Sequence, residues 1–248
     1  MTPRISIVTV VFNCVLAIEH TLKSVIEQTY SNLEYIVIDG GSDDGTLQIV
    51  SQYSRHINYF VSEKDFGVYH AMNKAIEVAS GDWILFMNAG DVFSCSSVIE
   101  NVFVRCSYCH KSVIYGGHRV LYGSGRERMV LPRSRLFFWK GSQFSHQAVF
   151  IPLSYHKSFP YDLRYKIAAD YAFFLQARSH GVKFKRVDLI VATITAHGLS
   201  DTQRIRSVVE RSRALDSMLF TFACLPVLLT YTYAVQFAKK LFVGFIGR

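Results

Sequence analysis

Alternation of buried-strand runs with amphipathic stretches dominates the N-terminal third and constrains the fold more than any other feature. Ile5 to Val11 is a β-branched run that suits a strand covered on both faces. Val15 to Gln28 follows with Leu16, Ile18, Leu22, Val25 and Ile26 near helical spacing. The pattern then repeats: Leu33 to Ile38 as a strand, Thr46 to Tyr53 as a helix with Asp43 or Asp44 as its cap. Ile57 to Val61 reads as a third strand, Val68 to Ala79 as a third helix and Trp83 to Met87 as a fourth strand. Such β–α alternation predicts an α/β fold with a mostly parallel, Rossmann-like central sheet flanked by helices.

Ligands of such sheets bind beyond the carboxyl ends of the strands. Asn13, Asp39 and Asp91 fall at three of those ends, and together they predict a site. The loop after the first strand has no glycine, which excludes a dinucleotide fingerprint, and no Walker A sequence occurs.

Charge divides the chain. Residues 1–104 carry 5 Lys/Arg against 12 Asp/Glu, and residues 105–248 carry 22 against 7. An acidic front and a basic back suit two different partners and do not suit a nucleic-acid binder. The five cysteines, an odd count, give no disulfide framework, so reduced cytosolic thiols are expected. Cys106 and Cys109, followed by His110, have the spacing of half a zinc site without a second pair. The N-terminus runs into the first strand without the pattern of a signal peptide.

Three segments carry a resemblance. They are Ile5-Ser-Ile-Val-Thr-Val-Val-Phe-Asn13, Ile36-Val-Ile-Asp39-Gly-Gly-Ser-Asp-Asp-Gly-Thr46 and Gly81-Asp-Trp-Ile-Leu-Phe-Met-Asn-Ala-Gly-Asp91. Together they resemble family 2 glycosyltransferases of the GT-A fold. The stretch Ser62 to Ala75 is similar to a branch that builds bacterial surface polysaccharides. The resemblance is strong over residues 4–93, weaker to about residue 200, and absent beyond.

It implies a nucleotide-sugar donor, usually UDP-linked, lying across the strand ends. Thr9, Val11 and Asn13 would line its base and ribose, Asp39 would accept a hydrogen bond from the base, and Asp65 would close the other side. Asn88, Ala89 and Gly90 would lie along the donor, Gly90 letting it approach closely. Asp91 would hold Mg²⁺ or Mn²⁺ together with the diphosphate. Many members have Asp-Ser-Asp-Asp where this chain has Asn88-Ala89-Gly90-Asp91, so metal binding rests on one acid. His197 is a second candidate for the metal or diphosphate.

Inverting transfer needs a carboxylate to take the acceptor's proton. Asp170, a lone acid in the uncharged run Ile167 to Ala177, matches the family's base; its alternative role is an N-cap for Tyr171 to Ala177. Ser145 to Ile151 reads as a strand whose His146 and Gln147 would line the acceptor cavity. Residues 105–165, including the arginine-rich Arg119 to Lys140, would supply acceptor loops that periodicity does not place. Gln203-Arg204-Ile205-Arg206 lacks the Trp of the processive Q-x-x-R-W motif, which predicts transfer of single sugars.

Residues 1–213 are thus expected to form the transferase domain, with 1–104 as its donor half and 105–213 as its acceptor half. Residues 214–248 would be a helical tail. Its uncharged stretch Ser217 to Ala238 is 22 residues long. As a helix it would reach about 33 Å at 1.5 Å per residue. Pro226 and basic flanks on both sides favour a segment lying on the membrane over a span. The alternative is a helix pair packed on the enzyme or on another subunit in a homo-oligomer. The expected partners are the donor, a lipid-linked (polyprenyl diphosphate) saccharide acceptor and the inner face of the cell membrane, with no nucleic acid. Two other functions compete: a nucleotidyltransferase making an activated sugar, and a non-catalytic sugar-nucleotide-binding assembly protein.

Overall fold

The computed structural model describes residues 2–104, 112–132, 144–196 and 203–215, together with Thr230. Strand β1 (Ile5–Val11) is buried along its whole length, as its β-branched composition requires. It lies at the centre of a parallel set with β2 (Leu33–Asp39), β3 (Tyr59–Ser62) and β4 (Trp83–Phe86) in the order β3-β2-β1-β4. Ile7 and Val11 face one core and Val8 and Val10 the other, the two-residue period of a strand covered on both sides.

Helix α1 (Ile18–Ile26) buries Ile18, Leu22 and Val25 against one face, beside α2 (Thr46–Gln52). Helix α3 (Val68–Val78) buries Tyr69, Met72, Ala75 and Ile76 against the other. Asp44 accepts the Thr46 N–H at 2.9 Å, so it braces the start of α2 from one residue before the cap position, which Gly45 occupies at φ +101°. Strand β3 lies at the sheet edge with mostly exposed side chains, two residues later than the run Ile57 to Val61 suggests.

Beyond β4 the sheet changes direction. Strand β8 (Val149–Pro152) pairs antiparallel with β4. Strand β6 (Ser112–Leu121) takes β8 along its first half and β7 (Glu127–Val130) along its second. On its other edge β6 pairs in parallel with β9 (Lys183–Thr195). The two-residue β5 (Val92–Phe93), just after Asp91, pairs with the end of β9. Helices α4 (Val98–Val104), α5 (Leu153–Ser158), α6 (Ala169–Ser179) and α7 (Arg204–Ala214) complete the flanks.

One expected strand is shorter than it reads. His146–Ala148 forms a 3-10 turn and pairing begins only at Val149. In a strand His146 and Gln147 would point to opposite faces; in the turn both line one cavity. Among the described residues, no helix is long and apolar enough to cross a membrane. Cys14 and Cys95 are free thiols. Cys106, Cys109, His110, Cys224, His197 and the tail from 216 (Thr230 apart) lie outside the described residues.

Candidate active site

A cavity of about 690 Å³ opens above the joint between β4 and β8. One wall is the loop after β4, Asn88 to Asp91. His146 and Gln147 from the 3-10 turn line the cavity in contact with that loop, and Asp170 from the first turn of α6 lies beside His146. Helix α7 adds Arg204, Ser207 and Arg211.

Asp91 is nearly enclosed. Its Oδ2 accepts the Gln147 side-chain N–H at 2.6 Å and its Oδ1 the Thr195 backbone N–H at 3.2 Å. Burial pushes its carboxyl above the ordinary value, against the pull of Gln147, His146 and Thr195. Gly90 turns the loop at φ +95°, and the Thr21 hydroxyl both donates to the Asp91 carbonyl and accepts the Gly90 N–H. Asp91 is therefore a fixed carboxylate rather than a helix cap.

Asp170 is second in α6, and Ala168 rather than Asp170 holds the cap position. Its Oδ1 accepts the Tyr171 N–H at 2.8 Å and the Tyr69 hydroxyl at 3.1 Å. Its Oδ2 lies 3.4 Å from His146 Nδ1. Burial opposes ionisation, but hydrogen bonding from His146, Tyr171 and Tyr69 outweighs it and holds the carboxyl below its ordinary value. The far side of the His146 ring is 2.9 Å from Asn88 Nδ2. Asn88 Oδ1 is buried without a partner.

The base-side residues form a second group, around the ends of β1 and β2. Asp39 is fully buried, and its carboxylate accepts the Gly41 and Ser42 N–H groups at 2.9 Å, the Ser62 hydroxyl at 2.7 Å, and the Ser42 hydroxyl. Asn13 takes a left-handed backbone, φ +46°, and its Oδ1 accepts the Asp43 N–H at 3.0 Å. Asp65 packs over Gly40 so closely that a Cβ there would stand 2.6 Å from Asp65 Oδ2. Thr9 shares a hydrogen bond with the Tyr35 hydroxyl inside the core, and Val11 is buried, so these two support the site from beneath. The structure thus separates the expected donor residues into a base cluster (Asn13, Asp39, Asp65) and a cavity cluster (Asn88, Ala89, Gly90, Asp91).

Several participants are not evident from sequence. Phe12, 62% exposed, reaches the Gly40–Asp65 contact, and Phe66 is 76% exposed beside it in sequence to Asp65. Tyr69 joins α3 to Asp170. Glu210 of α7 accepts the N–H groups of Ile167 and Ala168. The spacing of Arg204, Ser207 and Arg211 did carry a signal: i, i+3 and i+7 share one helix face.

A divalent cation fits the chemistry of this cavity in one way. Among the described residues no group of three His, Cys, Asp or Glu could hold a metal. Asp91, a hard oxygen ligand lining the cavity with lone pairs left on both oxygens, could hold one jointly with a bound diphosphate.

Comparison with known proteins agrees with this geometry. The profile of glycosyl transferase family 2 matches residues 6–151. An uncharacterized glycosyltransferase of Mycobacterium tuberculosis is 38% identical over 180 residues, covering 71% of this chain and 69% of the relative. A PGL/p-HBAD biosynthesis glycosyltransferase of Mycobacterium bovis is 28% identical over 219 residues, covering 81% and 80%. Among solved structures, Staphylococcus aureus TarS in complex with UDP superposes with a TM-score of 0.65 at 19% identity, covering 89% of this chain and 72% of that one. The mannosyltransferase PcManGT of Pyrobaculum calidifontis, bound to GDP-Man and Mn²⁺, gives 0.68 at 18% identity, covering 88% and 65%. The curled mixed sheet is therefore that of the GT-A fold, and the chain belongs to glycosyl transferase family 2.

Proposed function

We infer that this glycosyltransferase moves a single sugar, with inversion, from a UDP-sugar to a lipid-linked saccharide during synthesis of a bacterial surface polysaccharide. The observation that carries the reading is the placement of Asp170 in one cavity with the Asn88–Asp91 loop. The uracil would sit between Phe12 and Asp65, against the Gly40–Ser42 turn that the buried Asp39 holds at the end of β2. The diphosphate would lie along Asn88, Ala89 and Gly90, with the sugar pointing at Asp170. A solved structure of the same fold is bound to UDP, which supports a nucleotide-linked donor.

Asp170 Oδ2 takes the proton of the acceptor hydroxyl as that oxygen attacks the anomeric carbon. The bond to the diphosphate breaks on the opposite face, so the configuration inverts. Arg204 and Arg211 face the charge that leaves. When bound at Asp91, Mg²⁺ or Mn²⁺ supplies further stabilisation of that charge. Gln147 holds the Asp91 carboxylate in place and, with His146, lines the acceptor side.

The acceptor would be a polyprenyl diphosphate saccharide met at the cytoplasmic face of the membrane. The excess of positive charge after residue 104 suits both its diphosphate and an anionic surface. The transferase domain would span residues 1–213 and the tail 214–248 would attach it. Arg206 and Arg213, exposed on α7 just before the tail, support that attachment.

A panel of UDP- and GDP-sugars tests the donor assignment, read by thermal shift and nucleotide release with Mn²⁺ present and after chelation. Stabilisation and slow, cation-dependent UDP release by one UDP-sugar are expected. Stabilisation by free nucleotides but by no nucleotide sugar would overturn the reading, and pyrophosphate release from UTP would replace it with nucleotidyl transfer.

A further inference from the structure

We propose that His146 is the positioning residue for Asp170, and that it ties the base to the donor loop through Asn88. This rests on the reading of Asp170 as the base. The 3-10 turn at His146–Ala148 holds the imidazole between the two, with Nε2 2.9 Å from Asn88 Nδ2 and Nδ1 3.4 Å from Asp170 Oδ2.

The arrangement we assign has the Asn88 amide nitrogen donating to His146 Nε2, which then carries no proton. The single ring proton of the neutral imidazole then sits on Nδ1 and points at Asp170 Oδ2. Asp170 Oδ1 accepts the Tyr171 N–H and faces the Tyr69 hydroxyl at 3.1 Å, whose single proton it shares with the Ile167 carbonyl at 2.9 Å. Oδ2 is left as the oxygen that can face an acceptor, and His146 fixes its direction. A 3.4 Å contact is long for a hydrogen bond, as catalytic contacts are before substrate draws them together.

The same geometry accounts for Asn88. A carboxylate at position 88 has no proton to give, so it would draw one onto Nε2 and favour the doubly protonated ring over the neutral Nδ1–H form. Asn88 is thereby a partner chosen for the histidine as much as for the donor, and its Oδ1, buried without a partner, stays available to a donor hydroxyl.

Two near-isosteric replacements separate the two ends of the ring. The amide nitrogen of asparagine replaces Nδ1 and that of glutamine replaces Nε2. With the UDP-sugar that gives turnover, His146→Asn, which keeps a donor at the Nδ1 position, is expected to lose less kcat than His146→Gln. His146→Gln should lose about 10- to 100-fold in kcat, within the range of general-base contributions. Its donor KM should stay within about 2-fold, since the donor's own contacts remain. The double variant His146→Gln/Asp170→Asn should be no slower than Asp170→Asn alone, because a residue acting through Asp170 has nothing left to act on.

Two-bond ¹H–¹⁵N correlation on histidine-labelled protein, assigned with His146→Gln, gives a readout without substrate. It should show the neutral Nδ1–H tautomer in the native protein and its replacement by the doubly protonated ring in Asn88→Asp. A native Nε2–H tautomer, equal loss in the Asn and Gln variants, or an additive double variant would overturn the proposal. If Asp170→Asn is fully active, the base assignment itself fails. If Asp170→Asn is inactive and His146→Gln is as fast as the native enzyme, only the positioning role fails.

Discussion

The buried carboxylate of Glu210, on α7, accepts the backbone N–H of Ala168 at 3.0 Å, two residues before Asp170. The same oxygen accepts the Ile167 N–H at 2.8 Å, and Arg206 reaches the other oxygen at 3.1 Å. Helix α7, whose Arg204 and Arg211 line the cavity, is thereby fastened to the start of the helix that carries the base. Glu210→Ala leaves two buried N–H groups unpaired, each worth about 1–3 kcal/mol. A stability loss of about 2–4 kcal/mol by urea unfolding is expected, together with a fall in kcat. Glu210→Gln keeps an acceptor oxygen and should recover part of both. An Ala variant as stable as the native protein would refute this role.

Asp170→Asn should abolish transfer, with a loss of at least about 100-fold in kcat. On the proposed role of Asp170 as the acceptor's base, UDP binding should persist; isothermal titration measures this. Full turnover in the variant would remove Asp170 from the mechanism.

Gly40 is expected to control nucleotide affinity without controlling stability. A Cβ at this position meets Asp65 Oδ2 at 2.6 Å and Phe12 at 3.3 Å. Both are the ends of side chains facing solvent, so Gly40→Ala should move them at little cost to folding. The movement spoils the place assigned to the base, and UDP should bind about 10-fold more weakly. Unchanged UDP affinity would exclude Asp65 and Phe12 from the base pocket.

His156 sets a pH limit on stability. It is fully buried among Phe86, Tyr161 and Phe173, its Nδ1 3.2 Å from the Phe159 carbonyl and its Nε2 without a partner. Burial pulls its pKa down to about 4, so the native state keeps it neutral. The unfolded chain takes up the proton near pH 6.5, so its contribution is whole above that pH and is lost as pH falls from about 6.5 to about 4. The difference amounts to about 3 kcal/mol. His118, also pulled down to about 4 by burial, adds to the slope in the same window. Urea midpoints measured from pH 7.5 to 4 should decline, and less steeply in His156→Leu. Identical profiles would show that His156 is not responsible.

Features with a local cause were legible in the sequence. Strand β1 is found where its β-branched run places it, and α2 begins at Thr46 as the preceding acidic pair suggests. Asp39 and Asp91 stand at strand ends because a strand followed by a turn leaves no other place for them. Strand β3 read less well: an edge strand has one free side and needs no continuous apolar run. The turn at His146 was hidden because Ser145 to Ile151 carries a strand's composition while its first residues serve the cavity. The contacts of Tyr69 and Glu210 with the Asp170 region were not legible at all. They join positions 101 and about 40 residues apart, and no local period records such a meeting.

Residues 87–91 run between two strands that lie far apart in the sheet, β4 at its centre and β5 at its end beside β9. The Met87 and Ala89 N–H groups are bonded to the Val8 and Val10 carbonyls and the Asp91 N–H to the Asn88 carbonyl, so the segment is ordered by the fold itself. The entropy of ordering this loop is spent when the chain folds, and none of it remains to be charged against ligand affinity. Substitutions that stiffen the loop further should therefore leave the donor's binding entropy unchanged. Any opening and closing that admits substrate and releases product must be carried by other parts of the cavity wall.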